Sequence, residues 1–447
     1  MYIDFMLDTF KNNENSPAII WHDKEVKYGE LLCLYHDVNR QLTEKNLANK
    51  VVSLEADFSP LSVATLLNMI ELGCIIVPLT KSVEGKKPRF KEIAEVESSI
   101  IIDDKDKLRV EDYNVDVTNN LLLHLKAEKK PGLILFSSGS TGESKAALHN
   151  IVPMLEKFKV KRHSMRSLTF LLFDHIGGFN TLMYNLSNAG CCVMTSERTP
   201  DAICQIIEKY KVETLPTSPT FINLLLLSEA YKNYDLSSLK LVTYGTEAMP
   251  ESTLLRFHNL FPEIRLLQTY GLSEIGIMRS KSKSSDSLWV KIGGEDFETR
   301  VVDGLLEVKA KSAMLGYLNA PSPFTEDGWF KTGDEVLVDG EYMKILGRKS
   351  EMINVGGLKV FPAEVESFFL TMDGVEDVAI SGEKSELTGN IVKARFKINT
   401  GETVAQFRKR MRAFCKEHKI ENYKIPQKVV LVDEMMTGAR FKKMRKE

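Results

Sequence analysis

Hydrophobic positions along this chain recur with two different periods, and the change between them falls near residue 286. Up to that point helix-like and strand-like patterns alternate. The stretch "LSVATLLNMIELGCIIVPLT" (61–80) reads as an amphipathic helix, a stop at Gly73 and a short β-branched run that ends at a proline. "AICQIIEKYKVETLPTSP" predicts helix then strand, and "STLLRFHNLFPEIRLLQTYG" predicts helix, strand and a closing glycine. Helices of this length between strands favour parallel pairing with crossover helices, a doubly wound α/β layer architecture.

Beyond residue 286, period-two alternation with glycine turns takes over, as in "ETRVVDGLLEVKAKSAMLGYL" and "LVDGEYMKILGR", and predicts antiparallel strands. "RSKSKSSDS" (279–287) reads as a polar surface loop. Towards the C-terminus "VFPAEVESFFLTM" predicts a helix, "VEDVAISG" and "NIVKARFKI" strands, and "TVAQFRKRMRAFCKEH" a basic amphipathic helix. The expected fold is α/β. A large N-terminal domain (1–348) holds doubly wound, largely parallel sheets with helices and a small antiparallel β subdomain; a small C-terminal α+β domain (349–447) follows, with the joint in "GRKSE" (347–351). No internal repeat or low-complexity tract interrupts the pattern.

Composition narrows the class. A chain of 447 residues can bury a large core and suggests roughly two or three folding units. Apolar residues at 43% and charged residues at 27% lie near globular averages and exclude disordered, collagenous and membrane classes. Lys plus Arg at 59 against Asp plus Glu at 61 leaves a net charge of −2, so no global field favours nucleic acid or an anionic membrane. The six cysteines (Cys33, Cys74, Cys191, Cys192, Cys204, Cys415) show neither CxxC spacing nor disulfide-scaffold density, so a reducing cytoplasm is the expected compartment. Cys191 and Cys192, in "NAGCCVMT", fit a turn leading into a strand and core packing. "MYIDFMLDTFKNNENS" lacks the basic region of a signal peptide, and no run reaches the ~18 apolar residues of a membrane span.

The densest candidate chemistry is "LILFSSGSTGESKAALHN" (133–150), a buried-strand pattern followed by Ser137, Ser138, Gly139, Ser140, Thr141, Gly142 and then Lys145. Backbone N–H groups with few Cβ atoms in the way, hydroxyls and a lysine can wrap phosphate; a flexible surface hairpin has the same composition. The spacing is neither GxxxxGK[ST] nor GxGxxG. In "LTFLLFDHIGGFNTLMYNL" (168–186) an apolar strand-like run ends at Asp174 and His175, and Gly177-Gly178 opens a helical pattern, which sets His175 at a strand-to-helix mouth. A lone histidine there is more often a structural residue. Glu274, in a turn of small residues, suits Mg²⁺, which takes one or two carboxylates and fills its other positions with water and phosphate; taken by itself it is also a solvated surface carboxylate.

"SSGSTGESKAALH" resembles the phosphate-binding signature of the adenylate-forming superfamily, which includes acyl-CoA and aryl-CoA synthetases, peptide-synthetase adenylation domains and beetle luciferases. "YGLSEIG" (270–276) is similar to its YGxTE element with Ser273 in the threonine position; "WFKTGDEV" (329–336) is similar to its TGD element; "GRKSEMINVGGLKVFPAEVE" (347–366) resembles its hinge and the start of its small domain. The likeness runs from "YGELL" at 28 to the C-terminus.

The resemblance implies ATP, Mg²⁺ and a carboxylic acid as reactants. It implies nucleotide contacts from the 137–142 loop, Lys145, Gly245, Thr246, Glu247, Tyr270, Gly271, Ser273, Asp334 and Arg348, and a metal contact from Glu274. Asp174, His175, Gly177, Tyr244, Gly245 and Gly271 would line the acid pocket, and Gly356 and Gly357 in "GGLKVFP" a thiol channel. Thr141 and His175 would act in catalysis with a cation from the tail. There the chain departs from the family's T-x-G-K element: in "MTGARFKKMRKE", aligning Thr437 on the threonine puts Ala439 on the glycine and Arg440 on the lysine, with Lys442 the nearest alternative. Ser350 stands where the hinge commonly has aspartate or lysine.

The expected activity is an ATP-dependent ligase that makes an acyl-AMP and then a thioester, on an aryl or medium-chain acid suggested by Phe173, Phe179, Tyr244 and the glycines at 177, 178 and 245. Coenzyme A is the expected acceptor, with Lys359, Lys86, Lys87 and Arg89 as candidate cations for its phosphates; a carrier protein is the alternative acceptor. A non-catalytic nucleotide or acyl-adenylate binding protein is the alternative of another class, suggested by the altered lysine position.

Overall fold

The computed structural model describes residues 1–137, 143–438 and 441–445. The helix–strand units expected from periodicity are present as Pro60–Glu71 into Ile75–Leu79, Pro200–Tyr210 into Thr214–Thr217, and Glu251–Leu260 into Arg265–Gln268. The first shows why. Ser59 caps the helix by accepting from the Ser62 N–H, Pro60 occupies the first turn, and Gly73, at φ +71°, ends it. The Cys74 N–H bonds to Met69 and the Gly73 N–H to Ile70, a Schellman closure that hands the chain straight to the strand.

Among the described residues two seven-stranded sheets form the bulk of the fold. One runs in the order Gly316–Tyr317, Lys145–Asn150, Gly132–Ser137, Ile75–Leu79, Val51–Glu55, Ser98–Ile102, Leu108–Asp112, parallel in its middle and antiparallel at both edges. The other runs Arg265–Gln268, Leu241–Tyr244, Thr214–Thr217, Arg166–Leu168, Cys191–Val193, Pro17–Trp21, Lys24–Lys27, parallel except for the last pair. One apolar cluster takes residues from both sheets and from the helices Tyr28–Thr43, Pro60–Glu71 and Ile176–Ser187, so the sheets are locked through shared helices. Parallel strands direct their C-terminal ends, at Leu79, Ser137, Leu168, Tyr244 and Gln268, into loops that carry the site.

A six-stranded antiparallel sheet follows, in the order Arg279–Ser282, Trp289–Gly293, Tyr342–Arg348, Phe330–Asp339, Leu305–Ala310, Phe297–Val302. Its first strand corrects the expectation of a loop over 279–287. The Ser280 and Ser282 hydroxyls accept from the Tyr270 and Gln268 N–H groups, so serines hold the inward positions where apolar residues would have signalled a strand. A second correction concerns the run ending at Asp174: its strand is only Arg166–Leu168, and the chain then turns so that Leu172 lies over Gly178.

The C-terminal region has its own core, with Val360, Val365, Phe369, Ile380, Phe396, Phe407 and Met411 buried between a three-stranded sheet and the helices Pro362–Phe369 and Val404–Glu417. The Thr403 hydroxyl and Gln406 side chain form a reciprocal cap at the start of the latter. The cysteines are free thiols, all buried but Cys33. Among the described residues no helix is long and apolar enough to cross a membrane.

Candidate active site

Ser137 ends a buried strand and Lys145 begins the antiparallel return, so the two residues flanking the hydroxyl-rich loop stand side by side in register. The Ser137 hydroxyl reaches Oε1 of Glu274 at 3.5 Å, and the Tyr317 hydroxyl donates to the same oxygen at 2.7 Å. Lys145 Nζ lies 5.2 Å from the Tyr317 ring centroid, a cation–π contact. Glu274 is only 9% exposed, and its turn is pinned from behind. His149 Nε2 donates to the Ser273 carbonyl at 2.6 Å, Nδ1 lies 3.4 Å from the Ser312 carbonyl, and burial lowers the His149 pKa. Gly276, at φ +85°, lets the chain turn back at this point.

Four residues before Glu274, Tyr270 is buried and its hydroxyl donates to Oδ2 of Asp334 at 2.5 Å. Arg348 Nε approaches the other oxygen, Oδ1, at 3.0 Å, because Asp334 and Arg348 face each other across two antiparallel strands. Burial raises the Asp334 pKa, with Arg348 and the Tyr270 hydrogen bond pulling the other way.

A second cavity lies beside this cluster, with Asp174, His175, Arg198, Thr246 and Lys442 on a wall of Phe170, Leu171 and Leu172. His175 caps the helix Ile176–Ser187: its Nδ1 accepts from the Gly177 N–H at 3.1 Å, which leaves the ring proton on Nε2. Asp174 is held by the Thr80 hydroxyl at 2.8 Å and the Ser82 hydroxyl at 3.4 Å. Thr246 sits at φ +73°, an uncommon conformation for a β-branched residue. The two regions adjoin, since a Cβ on Gly245 would lie 2.7 Å from the Thr269 carbonyl and Thr269 leads into Tyr270.

Lys442 enters the cavity on a turn anchored from both sides. Phe441 packs its ring 5.1 Å from that of Phe170 and 5.4 Å from that of Phe221, and its carbonyl accepts from the Ser218 hydroxyl at 2.6 Å. Arg198 lies over both the Phe170 and Phe441 rings. From the C-terminal region, Asp377 pairs with Lys443, and Glu366 and Glu351 hold Arg445.

The AMP-binding enzyme family pattern matches residues 8–304, and the AMP-binding enzyme C-terminal domain pattern matches 364–442. The chain belongs to the AMP-binding enzyme family. It is similar to an indoleacetate–CoA ligase of Aromatoleum aromaticum, 25% identical over 96% of this chain and 94% of that one. It is also similar to a mitochondrial medium-chain acyl-CoA ligase of Mus musculus, 27% identical over 67% of this chain and 54% of the other. Among solved structures, the anthranilate CoA ligase AuaEII in complex with anthranoyl-AMP superposes with a TM-score of 0.78 at 19% identity, covering 98% of this chain and 95% of that one, which shows the shared fold.

Of the residues singled out in this family member's sequence, Ser137, Lys145, Tyr270, Ser273, Glu274, Asp334 and Arg348 come together in one cluster. Asp174, His175, Thr246 and Lys442 come together in the adjoining cavity. A Cβ on Gly177 would meet Leu171 and His175 of that cavity's lining, Gly271 packs against Gly276 and Ile277, and Tyr244 is buried. Ser138, Gly139, Ser140, Thr141, Gly142, Ala439 and Arg440 lie outside the described residues. Glu247 holds the Thr220 N–H and hydroxyl and the Lys443 N–H, so its carboxylate anchors the tail. Gly356 and Gly357, at φ +60° and +90°, form an open hairpin turn. Lys359 pairs with Glu335, Lys87 with Glu55 and Glu84, and Arg89 with Glu92 and Glu143.

Sequence reasoning missed Tyr317, Arg198 and Thr80. The latter two follow the C-terminal ends of parallel strands, a position that could have flagged them. Tyr317 had no local signal, because its role rests on an approach to Glu274 from 43 residues away.

Proposed function

We propose that this AMP-binding enzyme is an ATP-dependent acid–thiol ligase that joins a carboxylic acid to AMP and passes the acyl group to coenzyme A. The observation that carries the reading is the adjacency of two unlike regions. An acidic and hydroxyl cluster around Glu274 and Asp334 suits a nucleotide, and a cavity with Lys442 and His175 suits the reacting carboxylate. Joining an acid to the α-phosphorus brings two anions together, so positioned cations and donors supply most of the acceleration.

Lys442 and the Nε2 proton of His175 would face the acid and the α-phosphate. Asp334 would accept from the ribose, with Arg348 beside it, and Tyr270 would border the base. Glu274 fits one Mg²⁺ position: its Oε1 is engaged by Tyr317, while Oε2 has no partner among the described residues. Mg²⁺, bound there with phosphate oxygens and water, would neutralise the departing pyrophosphate. Residues 1–348 and 349–447 would act as separate domains, turning about Ser350 so that the Gly356-Gly357 turn could replace Lys442 at the acyl-adenylate for thiol attack.

Lys442, on the cavity wall, would supply the cation whose apparent absence suggested a binding-only protein, which favours the catalytic reading over that alternative. The test is acid-dependent exchange of pyrophosphate into ATP, followed by assays for thioester on coenzyme A and for a mass shift on carrier proteins. Exchange with thioester on coenzyme A is expected. Nucleotide binding with no exchange for any acid would overturn the reading, and a shift on carriers alone would move the acceptor to a protein.

A further inference from the structure

Two stretches of chain that start beside the cavity holding Lys442 and His175 are bridged by one side chain. The first follows the helix Ile176–Ser187. A Cβ on Gly177 would come within 3.3 Å of the His175 ring, and one turn further along Oδ1 of Asn180 accepts from Lys157 Nζ at 2.6 Å. The second starts at Gly245 and passes Thr269 to Gly271, where a Cβ would lie 2.5 Å from the Ile277 side chain. The Ile277 carbonyl accepts from the same Lys157 Nζ at 3.0 Å.

Lys157 is otherwise provisioned as a cation in need of a partner. It also lies 5.0 Å from the Phe158 ring centroid, and no carboxylate among the described residues lies within ion-pair distance. An ammonium has three donors, and two are used. Burial pushes its pKa down to about 8. A desolvated cation without a counter-charge destabilises a fold, and a neutral amide could have made the same two hydrogen bonds.

We propose that Lys157 is a specificity-determining residue that receives a second carboxylate at the far end of the acid, so that the preferred substrates are dicarboxylic acids. This rests on the acid-activating reading of the site. The acid's reacting carboxylate would stand at Lys442 and His175, with its chain between the helix Ile176–Ser187 and the Gly271–Ile277 stretch.

The test is pyrophosphate exchange by the full chain on matched sets: straight-chain and aryl diacids, their mono-methyl esters, and mono-acids of equal length. Wild type is expected to favour each accepted diacid over its ester by at least about tenfold in kcat/KM. Lys157→Met should remove that preference by losing activity on the diacid while keeping or gaining it on the mono-acid. Lys157→Gln, which retains a donor for Asn180 and Ile277, should behave alike if charge is what matters. Exchange by wild type with no preference for diacids overturns the proposal and leaves acid activation standing. An equal loss on every acid in both variants assigns Lys157 a purely structural role and overturns it too. Exchange with no acid at all overturns acid activation and this inference with it.

Discussion

The hydroxyl of Tyr270 donates to Oδ2 of Asp334 at 2.5 Å, while Arg348 occupies the other carboxylate oxygen. Burial nevertheless leaves the Asp334 pKa above the ordinary carboxylate value. A carboxyl with a raised folded-state pKa favours the fold below its unfolded pKa and loses that contribution as pH rises through the folded value. At neutral pH the ionised Asp334 is therefore a cost to the empty protein.

Asp334→Asn should keep or raise the denaturation midpoint at pH 7, since an amide oxygen still accepts from Tyr270 and Arg348 is half-exposed. ATP affinity should fall by about tenfold or more, the loss of one charged hydrogen-bonding group in a buried site. Denaturation and ATP titration on the same samples check both halves. A variant less stable than wild type at pH 7 and equal to it at pH 4 would contradict the sign.

Glu274→Gln isolates charge from structure. The amide oxygen can still accept from the Tyr317 hydroxyl, so the fold should hold, but the hard anionic oxygen is gone. Exchange activity should drop by about 10²-fold or more, and higher Mg²⁺ should recover only part of it. Glu274→Ala should add a stability loss of about 1–3 kcal/mol from the stranded Tyr317 hydroxyl. Mg²⁺ titrations of activity beside thermal unfolding separate the two effects.

What is legible in the sequence divides along the range of the interactions. Helix–strand units were legible because caps and periodicity are local: Ser59, Pro60 and Gly73 lie within one short stretch. Glu274 and Asp334 were legible as members of short recognisable elements. The strand Arg166–Leu168 is shorter than its apolar run because an apolar loop packed under a helix has the same hydrophobicity as a strand. Arg279–Ser282 reads as a loop in the sequence because its inward residues are serines bonding to backbone. Tyr317, Thr80 and Lys157 act on groups brought close only by folding, and no window of sequence contains both partners.

Lys442, and not Arg440, should carry the tail's contribution to acyl-adenylate formation, because Lys442 lines the cavity with His175 and Thr246. Lys442→Met is expected to slow exchange by about 10²-fold or more, the scale of losing a charge-stabilising donor. Arg440→Lys should leave the rate unchanged, since a compact ammonium is already present. Steady-state exchange on both variants decides it: an increase in Arg440→Lys with no effect in Lys442→Met would move the role two residues back.

Phe441 gives the tail its grip on the large domain. Its ring fills the space beside Phe170 and Phe221, beneath the Arg198 guanidinium, while Lys443 and Arg445 fasten the following residues to Asp377 and Glu366 of the C-terminal region. Lys442 is thus held between an apolar plug on one side and buried ion pairs on the other. Among the described residues the plug and the Ser218 and Glu247 hydrogen bonds tie the tail to the large domain, so they are among the contacts a domain rotation would break. Truncating the plug should weaken this closed arrangement without disturbing either core. Phe441→Ala is therefore expected to slow acyl-adenylate formation by about tenfold, a loss of roughly 1–2 kcal/mol of apolar and ring contact. Thioester formation from supplied acyl-AMP should stay the same or rise, because that step needs the tail released. Rapid-quench measurement of the two half-reactions tests the split. Equal slowing of both would show that Phe441 supports the large domain generally and does not govern which step the enzyme is poised to perform.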